Sequence, residues 1–479
     1  MQFLNQLFQL EKRKTTVGRE VRGGFVTFFS MAYILVLNPI ILSEPDSTGR
    51  FIGGSAEAPN TLAIAAMTAF IAGVVTFLMG FIANYPLALA AGLGLNSMLS
   101  YTVVKIPGMT WADGMGIIVL EGVLVLLLVV TGLRKKIFDA VPQFLRTAIS
   151  VGIGLFVALI GLVNAHLITN TGGTTLSFGV NNSITTIPLL VFIIGLILTV
   201  ILMVRKVPGA ILLSIIVTTL LSIILEAIFH FGGLSDDNAQ GWASGGTPSL
   251  PDGGLMKLPD FSILGHFSVV GPFQHAGAIV VIALVFSALL ADFFDTMGTM
   301  VAVGAEGDLL DETGTPYNAQ QILLVDSFGA IAGGAGSVSS NTAFVESASG
   351  VADGARTGLA SIVTAILFFL SMFFAPVLNL VPSEAAAPAL VVVGFLMMQQ
   401  VSEIDWKDLS LAIPAFFTII FMPFGYSITV GIGVGFIFYV LLRVAVGKAR
   451  EVHPLMWITA ALFVVYFVLD PLNKLIGIG

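Results

Sequence analysis

The sequence predicts an all-α polytopic membrane protein of about fourteen transmembrane segments, arranged as two inverted seven-helix repeats. Three observations lead there. Charged residues make up only 10% of the 479 residues, where a soluble globular domain carries roughly 25%. Hydrophobic residues make up 56%, mean hydropathy is +1.00, and apolar runs of roughly 17 to 25 residues, the length of an α-helix that crosses a hydrocarbon core, recur along the whole chain. Finally, short motifs recur on either side of a long central loop. Val141-Pro142 and Val381-Pro382 precede Gly154 and Gly394 by the same spacing, and Ile187-Pro188 answers Ile413-Pro414. Seven is an odd number of crossings, so the second half enters the membrane inverted, as in many transporters. This composition excludes a soluble enzyme. With Cys 0 the chain has no disulfide or thiolate chemistry, and a net charge of -8 spread over loops argues against nucleic-acid binding.

The elements follow in order. Phe3, Leu4, Leu7 and Phe8 at helical spacing, then Glu11-Lys12-Arg13-Lys14, read as a short interfacial helix with a basic anchor. The apolar run over 24–42 is too long for a signal peptide and is the first span. Further spans are expected over 62–83, 86–104, 115–133, 147–163, 187–204, 209–230, 276–298, 319–334, 341–352, 358–380, 386–400, 409–424 and 427–444. Arg19 and Arg22, Arg134-Lys135-Lys136 with Arg146, Arg205-Lys206, and Arg443, Lys448 and Arg450 then all fall on one side. By the positive-inside rule that side, with the N-terminus, is cytoplasmic. The acidic 44–57 loop and the Gly/Ser/Pro-rich 231–274 segment lie opposite. The apolar stretch Met456 to Leu469 fits an interfacial helix or a fifteenth span, and the interfacial placement is favoured.

The chemistry is expected where helices break. Ala91-Gly92-Leu93-Gly94-Leu95-Asn96 opens the third span and the glycine/serine run from Gly333 to Asn341 opens the tenth, at corresponding places in the two halves. Glycine permits non-helical backbone, and Asn or Ser can cap the half-helix that follows. Close helix packing is the other use of such small residues. Intramembrane carboxylates are costly and therefore functional candidates. Asp292 and Asp295 share a face of the eighth span with Thr296, and Glu346 stands about one turn into the tenth half-helix. Carboxylates meeting in one dry pocket cannot both ionise cheaply, which gives Asp292, Glu346 and Asp295 a basis for sharing and coupling a proton. Asp295 is equally suited to a structural hydrogen bond. Asp326 is read as a tie between helices, and Glu121 and Glu226 as lying near the outer interface. His166, His230, His266, His275 and His453 lack metal-ligand spacing, and no catalytic motif is present, so no metal and no enzyme activity are expected.

Three stretches carry a family resemblance: Ala291-Asp292-Phe293-Phe294-Asp295-Thr296-Met297-Gly298-Thr299; Met31-Ala32-Tyr33-Ile34-Leu35 with Asn38-Pro39; and Ser340-Asn341-Thr342 through Glu346-Ser347. Together they resemble the AzgA-like branch of the nucleobase-ascorbate transporter (nucleobase:cation symporter 2) family, over about residues 15 to 450. The wider family's Glu/Gln-Asn-x-Gly-x4-Thr-Arg pattern is altered here. Glu346-Ser347-Ala348-Ser349-Gly350 is longer and lacks the Asn, and Arg356 precedes Thr357, departures that suit this branch.

The resemblance implies a proton-coupled permease for adenine, guanine or hypoxanthine, with the proton as coupling ion and no other cofactor. It also implies a multi-pass protein of a bacterial-type plasma membrane, a lipid-embedded homodimer. After an interfacial segment 1–21, a core domain would be built from 22–133 (spans 1–4) and 275–380 (spans 8–11). A gate domain would be built from 134–230 (spans 5–7) and 381–446 (spans 12–14), with the 231–274 loop outside and 447–479 as a C-terminal segment. Asp292 and Glu346 match positions that hold the base, Asn96 matches a third-span position for purine recognition, and Thr296 matches a histidine of the uracil branch. Phe344, with Phe293 and Phe294, is available to stack on a flat ring. A same-fold sulfate or bicarbonate transporter, which would want a basic residue at the site, and a passive channel are the competing expectations.

Overall fold

The computed structural model describes residues 2–133, 140–169, 176–179, 184, 186–234, 238, 241–242, 247–248, 254–312, 314–378 and 380–476. The basic run Arg134-Lys135-Lys136 lies outside them. Among the described residues ten helices are long and apolar enough to cross a membrane, and the chain is a polytopic helical membrane protein.

Span 1 begins at Val17, earlier than the apolar run suggests, because Thr16 caps it by accepting from the Arg19 amide at 3.4 Å. It breaks at Ala32-Tyr33 and resumes over Ile34–Ile41. Span 2 covers Thr61–Leu78 and continues as a wider turn to Ala83. Span 4, Trp111–Val130, opens with a reciprocal capping box between Thr110 and Asp113. Spans 5, 6 and 7 are Gln143–Asn164, Ile187–Val204 and Ala210–Phe229. Span 8, Ala278–Glu306, has 29 residues and is about 43 Å long. Spans 9 and 11 are Ala319–Ala335 and Gly358–Ser371, and spans 12, 13 and 14 are Ser383–Met398, Leu409–Phe424 and Ile428–Ala445.

Spans 3 and 10 differ in kind. Each is a three-residue strand followed by a short helix: Leu89–Ala91 then Leu93–Met98, and Asn341–Ala343 then Ser347–Ala352. The two strands pair antiparallel, with Leu89 opposite Ala343, Ala90 opposite Thr342 and Ala91 opposite Asn341. Extended backbone deep in a bilayer must satisfy its polar groups within the protein, and each strand supplies the other's partners. The matched glycine runs of the sequence therefore mark the places where the helices break.

Small residues let the elements around this crossing approach. A Cβ on Gly23 would stand 2.8 Å from the Gly350 carbonyl oxygen, and one on Gly358 only 2.0 Å from that of Gly80. Two groups of packing partners result. Spans 1, 2, 4, 8, 9 and 11 gather around the crossing strands, and spans 5, 6, 7, 12, 13 and 14 pack mainly on one another. Part of the 231–274 loop folds over the first group: the Ser268 amide donates to Ala112 O and the Ser337 hydroxyl to Ile263 O, each at 2.8 Å.

The C-terminal stretch packs against the bundle. Pro454–Ile476 is a helix lying along span 14, where the rings of Phe463 and Phe467 fill the groove at Gly433. Met456, Ala460 and Phe463 are buried along one face, and the helix also touches span 8. Hydropathy alone could not separate the two placements, because the stretch shares its apolar length with both. Truncating the fully buried Phe463 to Ala should cost about 3 kcal/mol or more. Thermal unfolding in detergent checks this, and an unchanged midpoint would mean the helix is not seated there.

Candidate functional site

The crossing strands end on a cavity. Tyr33 of span 1, Gly92 to Leu95 of span 3, Asp292, Asp295 and Thr299 of span 8 and Thr342 to Glu346 of span 10 line one side of it. Ile153 of span 5 and Val393 and Met397 of span 12 line the other. Together with the solvent space at its mouth, the empty volume is about 630 Å³. The cavity therefore lies between the two packing groups, at the depth where the half-helices start. Those starts leave first-turn amides without intrahelical acceptors and place positive dipole ends toward the cavity.

Each carboxyl is held differently. The Tyr33 hydroxyl donates to Glu346 Oε1, which fixes that carboxyl at the cap of the span 10 half-helix. The Ser349 hydroxyl donates to the Glu346 carbonyl at 2.6 Å and locks the turn. Asp295 lies at the cavity edge, half-buried. Asp292 is wholly buried, and no N–H or hydroxyl donates to either of its oxygens. An unfilled buried acceptor is costly, so this is the place where a ligand's donor has most to offer. Phe344 is 7% exposed and stands 6.5 Å from the Tyr33 ring, the two tilted by 48°, leaving an aromatic wall beside the carboxyls. The lining contains no Lys, Arg or His.

Of the residues singled out from the sequence, Asp292, Glu346, Asp295 and Phe344 meet in this cavity. Asn96 and Thr296 do not line it. Asn96 Nδ2 donates to Asn38 Oδ1 at 2.5 Å, and Asn38 in turn donates to Thr68 Oγ1 at 2.8 Å and Val338 O at 3.2 Å. It braces spans 1, 2 and 3 behind the site. The Thr296 hydroxyl donates to Asp326 Oδ1 at 2.8 Å and accepts from the Ala343 amide at 3.5 Å. It supports the span 10 strand from behind. Asp326 is thus a helix tie, as its sequence setting suggests.

Glu121 is misplaced by the sequence. The capping box starts span 4 at Trp111, so Glu121 falls mid-helix, fully buried, within side-chain hydrogen-bonding reach of Asp292. Tyr33 was also missed as a site residue. The signal was there in the break between Met31 and Ile34, which turns its ring into the cavity. Among the described residues no cluster of His, Asp or Glu is suited to hold a metal ion.

Residues 18–434 match a family profile described simply as a permease family. Guanine/hypoxanthine permease PbuG of Bacillus subtilis is 38% identical over 473 residues, 97% of this chain and 99% of that protein. Adenine permease AdeP of Escherichia coli K12 is 36% identical, over 97% of this chain and 96% of its own length. Among solved structures, the transmembrane domain of a cyanobacterium bicarbonate transporter superposes with a TM-score of 0.57 at 14% identity, covering 89% of this chain and 96% of that one.

Proposed function

This chain belongs to the permease family and is a membrane transporter rather than an enzyme, and from that premise we propose that it imports purine nucleobases by proton symport. The observation that carries the reading is the cavity's chemistry: carboxyls from spans 8 and 10 converge beside an aromatic wall, with no basic residue. A purine is flat and uncharged, and its edge bears N–H donors next to acceptors. A carboxylate accepts from adjacent ring N–H and amino groups, and a protonated carboxyl also donates, so Asp292 and Glu346 can grip two edges while Phe344 covers a face. Relatives named for guanine/hypoxanthine and for adenine both align over nearly the full chain, so the substrate class proposed is the purine base. The shared fold with a bicarbonate transporter does not extend to substrate, because an anion in this cavity would meet three carboxyls and no cation.

In this reading the first packing group is a core and the second a gate, related as inverted repeats, and alternating access comes from motion of one against the other around the cavity. The end of the cavity toward the acidic loop is closed by core-to-gate contacts. The Tyr101 hydroxyl lies 3.3 Å from Asn164 Oδ1, the Thr102 hydroxyl donates to Tyr426 O at 3.1 Å, and the Tyr101 and Tyr426 rings meet edge-on at 5.9 Å. By the positive-inside rule the opposite end, with Arg19, Arg22 and Arg443, faces the cytoplasm.

The test is uptake of labelled hypoxanthine, guanine and adenine by purine-transport-deficient cells expressing the chain, with and without a protonophore. Concentrative uptake of at least one base, abolished by the protonophore, is expected. Uptake that equilibrates and ignores the protonophore would favour a passive channel.

A further inference from the structure

Behind the cavity, on the side away from the gate, Asp292 meets a second buried carboxyl. Glu121 projects from span 4 against it, and both residues have zero solvent exposure. No N–H or hydroxyl donates to either oxygen of Asp292. The fully buried Ser340 hydroxyl stands within side-chain hydrogen-bonding reach of Glu121, from the turn before the span 10 strand.

The charged and titratable neighbours are Asp326 of span 9 and Asp295, one turn along span 8. Beyond Asp295 lie Glu346 and Tyr33. Arg146 of span 5, the cation that approaches span 8, stacks over the Phe294 ring at 5.8 Å. Two carboxylates in contact without a cation cannot both stay ionised in a dry interior, and one proton between them supplies the missing donor. The cluster is not one suited to hold a metal ion.

We infer that Glu121 and Asp292 share the transported proton, so that Glu121, which does not line the cavity, is the positioning residue that links protonation to substrate hold. This rests on the reading of the cavity as a proton-coupled purine site. While the proton rests on Glu121 and is donated to Asp292, Asp292 keeps its charge and accepts from the purine. When the proton leaves, two carboxylates face each other and the purine's acceptor becomes part of a repulsive pair. Substrate and proton are therefore held together and released together.

The test uses proteoliposomes of the full chain and Glu121→Gln, whose amide donates to Asp292 permanently without a transferable proton. A gradient of one pH unit sustains about a tenfold accumulation. Wild type should show that dependence, whereas Glu121→Gln should retain purine counterflow and lose the gradient's effect, its ratio of uptake with and without the gradient falling to about one. Glu121→Gln with full, gradient-dependent accumulation and the wild-type pH profile overturns the inference, as does accumulation by wild type driven by a sodium gradient alone.

Infrared difference spectra of the purified protein give an arm independent of transport and of the variant's folding. Wild type near neutral pH should show the carbonyl stretch of a protonated carboxyl, titrating to carboxylate as pH rises, and its absence overturns the inference. If wild type carries no purine at all but shows this band and Glu121→Gln lacks it, the purine reading fails while the shared proton stands.

Discussion

Asp292→Asn and Glu346→Gln should each reduce purine uptake to background while the protein still reaches the membrane at wild-type abundance. Each substitution keeps the side chain's shape and replaces one acceptor oxygen with an NH2 group. At Asp292 both oxygens are buried without a donor, and at Glu346 one oxygen already accepts from Tyr33. A hydrogen bond to a charged group contributes about 1.5 to 3 kcal/mol. Replacing an acceptor with a donor that faces the base's own N–H loses that and adds repulsion, so about 100-fold or more in uptake is expected from either change. Labelled-base uptake, normalised to membrane abundance on an immunoblot, measures it. Substantial transport by either variant would remove that residue from the site.

Gly333→Val should produce the largest structural defect. A Cβ on Gly333 would stand 1.9 Å from the Ser339 carbonyl oxygen and 2.6 Å from Asn341 Nδ2, the turn that delivers the span 10 strand to its partner. The Ser339 oxygen belongs to the backbone and cannot rotate away, so span 9 and the turn must separate. Overpacking of this kind costs about 1 to 3 kcal/mol or more, and here it also breaks the pairing on which the cavity is built. Loss of monodisperse protein after detergent extraction is expected. Gly298→Ala, in span 8 beside the site, is the matched control: a Cβ there meets nothing within 4 Å, and wild-type extraction is expected.

How far the sequence reached is clearest at particular residues. Apolar runs mark the spans because a helix must stay apolar for a bilayer's thickness, and glycine runs at matched positions mark the breaks because neighbouring elements pack there too closely for a side chain. Asp292 and Glu346 stood out because a carboxylate in a span is rare enough to be informative. Asn96 and Thr296, expected from the resemblance to contact the base, stand behind the cavity lining, since spacing along a helix does not reveal which strand or helix lies between a side chain and the cavity. Glu121 was read as interfacial because hydropathy placed the start of span 4 at 115. The Thr110 and Asp113 capping box, a legible signal, moves that start to Trp111 and Glu121 to the middle of the helix. Its meeting with Asp292 joins residues of two distant spans, which no local pattern encodes. The packing of the C-terminal helix is equally non-local: the partner that buries Phe463 is Gly433, on another helix.

The proposed function requires that the acid-lined cavity bind purine bases. Equilibrium binding of labelled hypoxanthine, guanine and adenine to the purified protein in detergent, with wild type and Asp292→Asn side by side, tests that claim most directly. Saturable binding of at least one base by wild type, competed by unlabelled purines but not by bicarbonate or sulfate and lost in Asp292→Asn, is the result predicted. Absence of purine binding by folded wild-type protein, or binding that Asp292→Asn leaves unchanged, would contradict it.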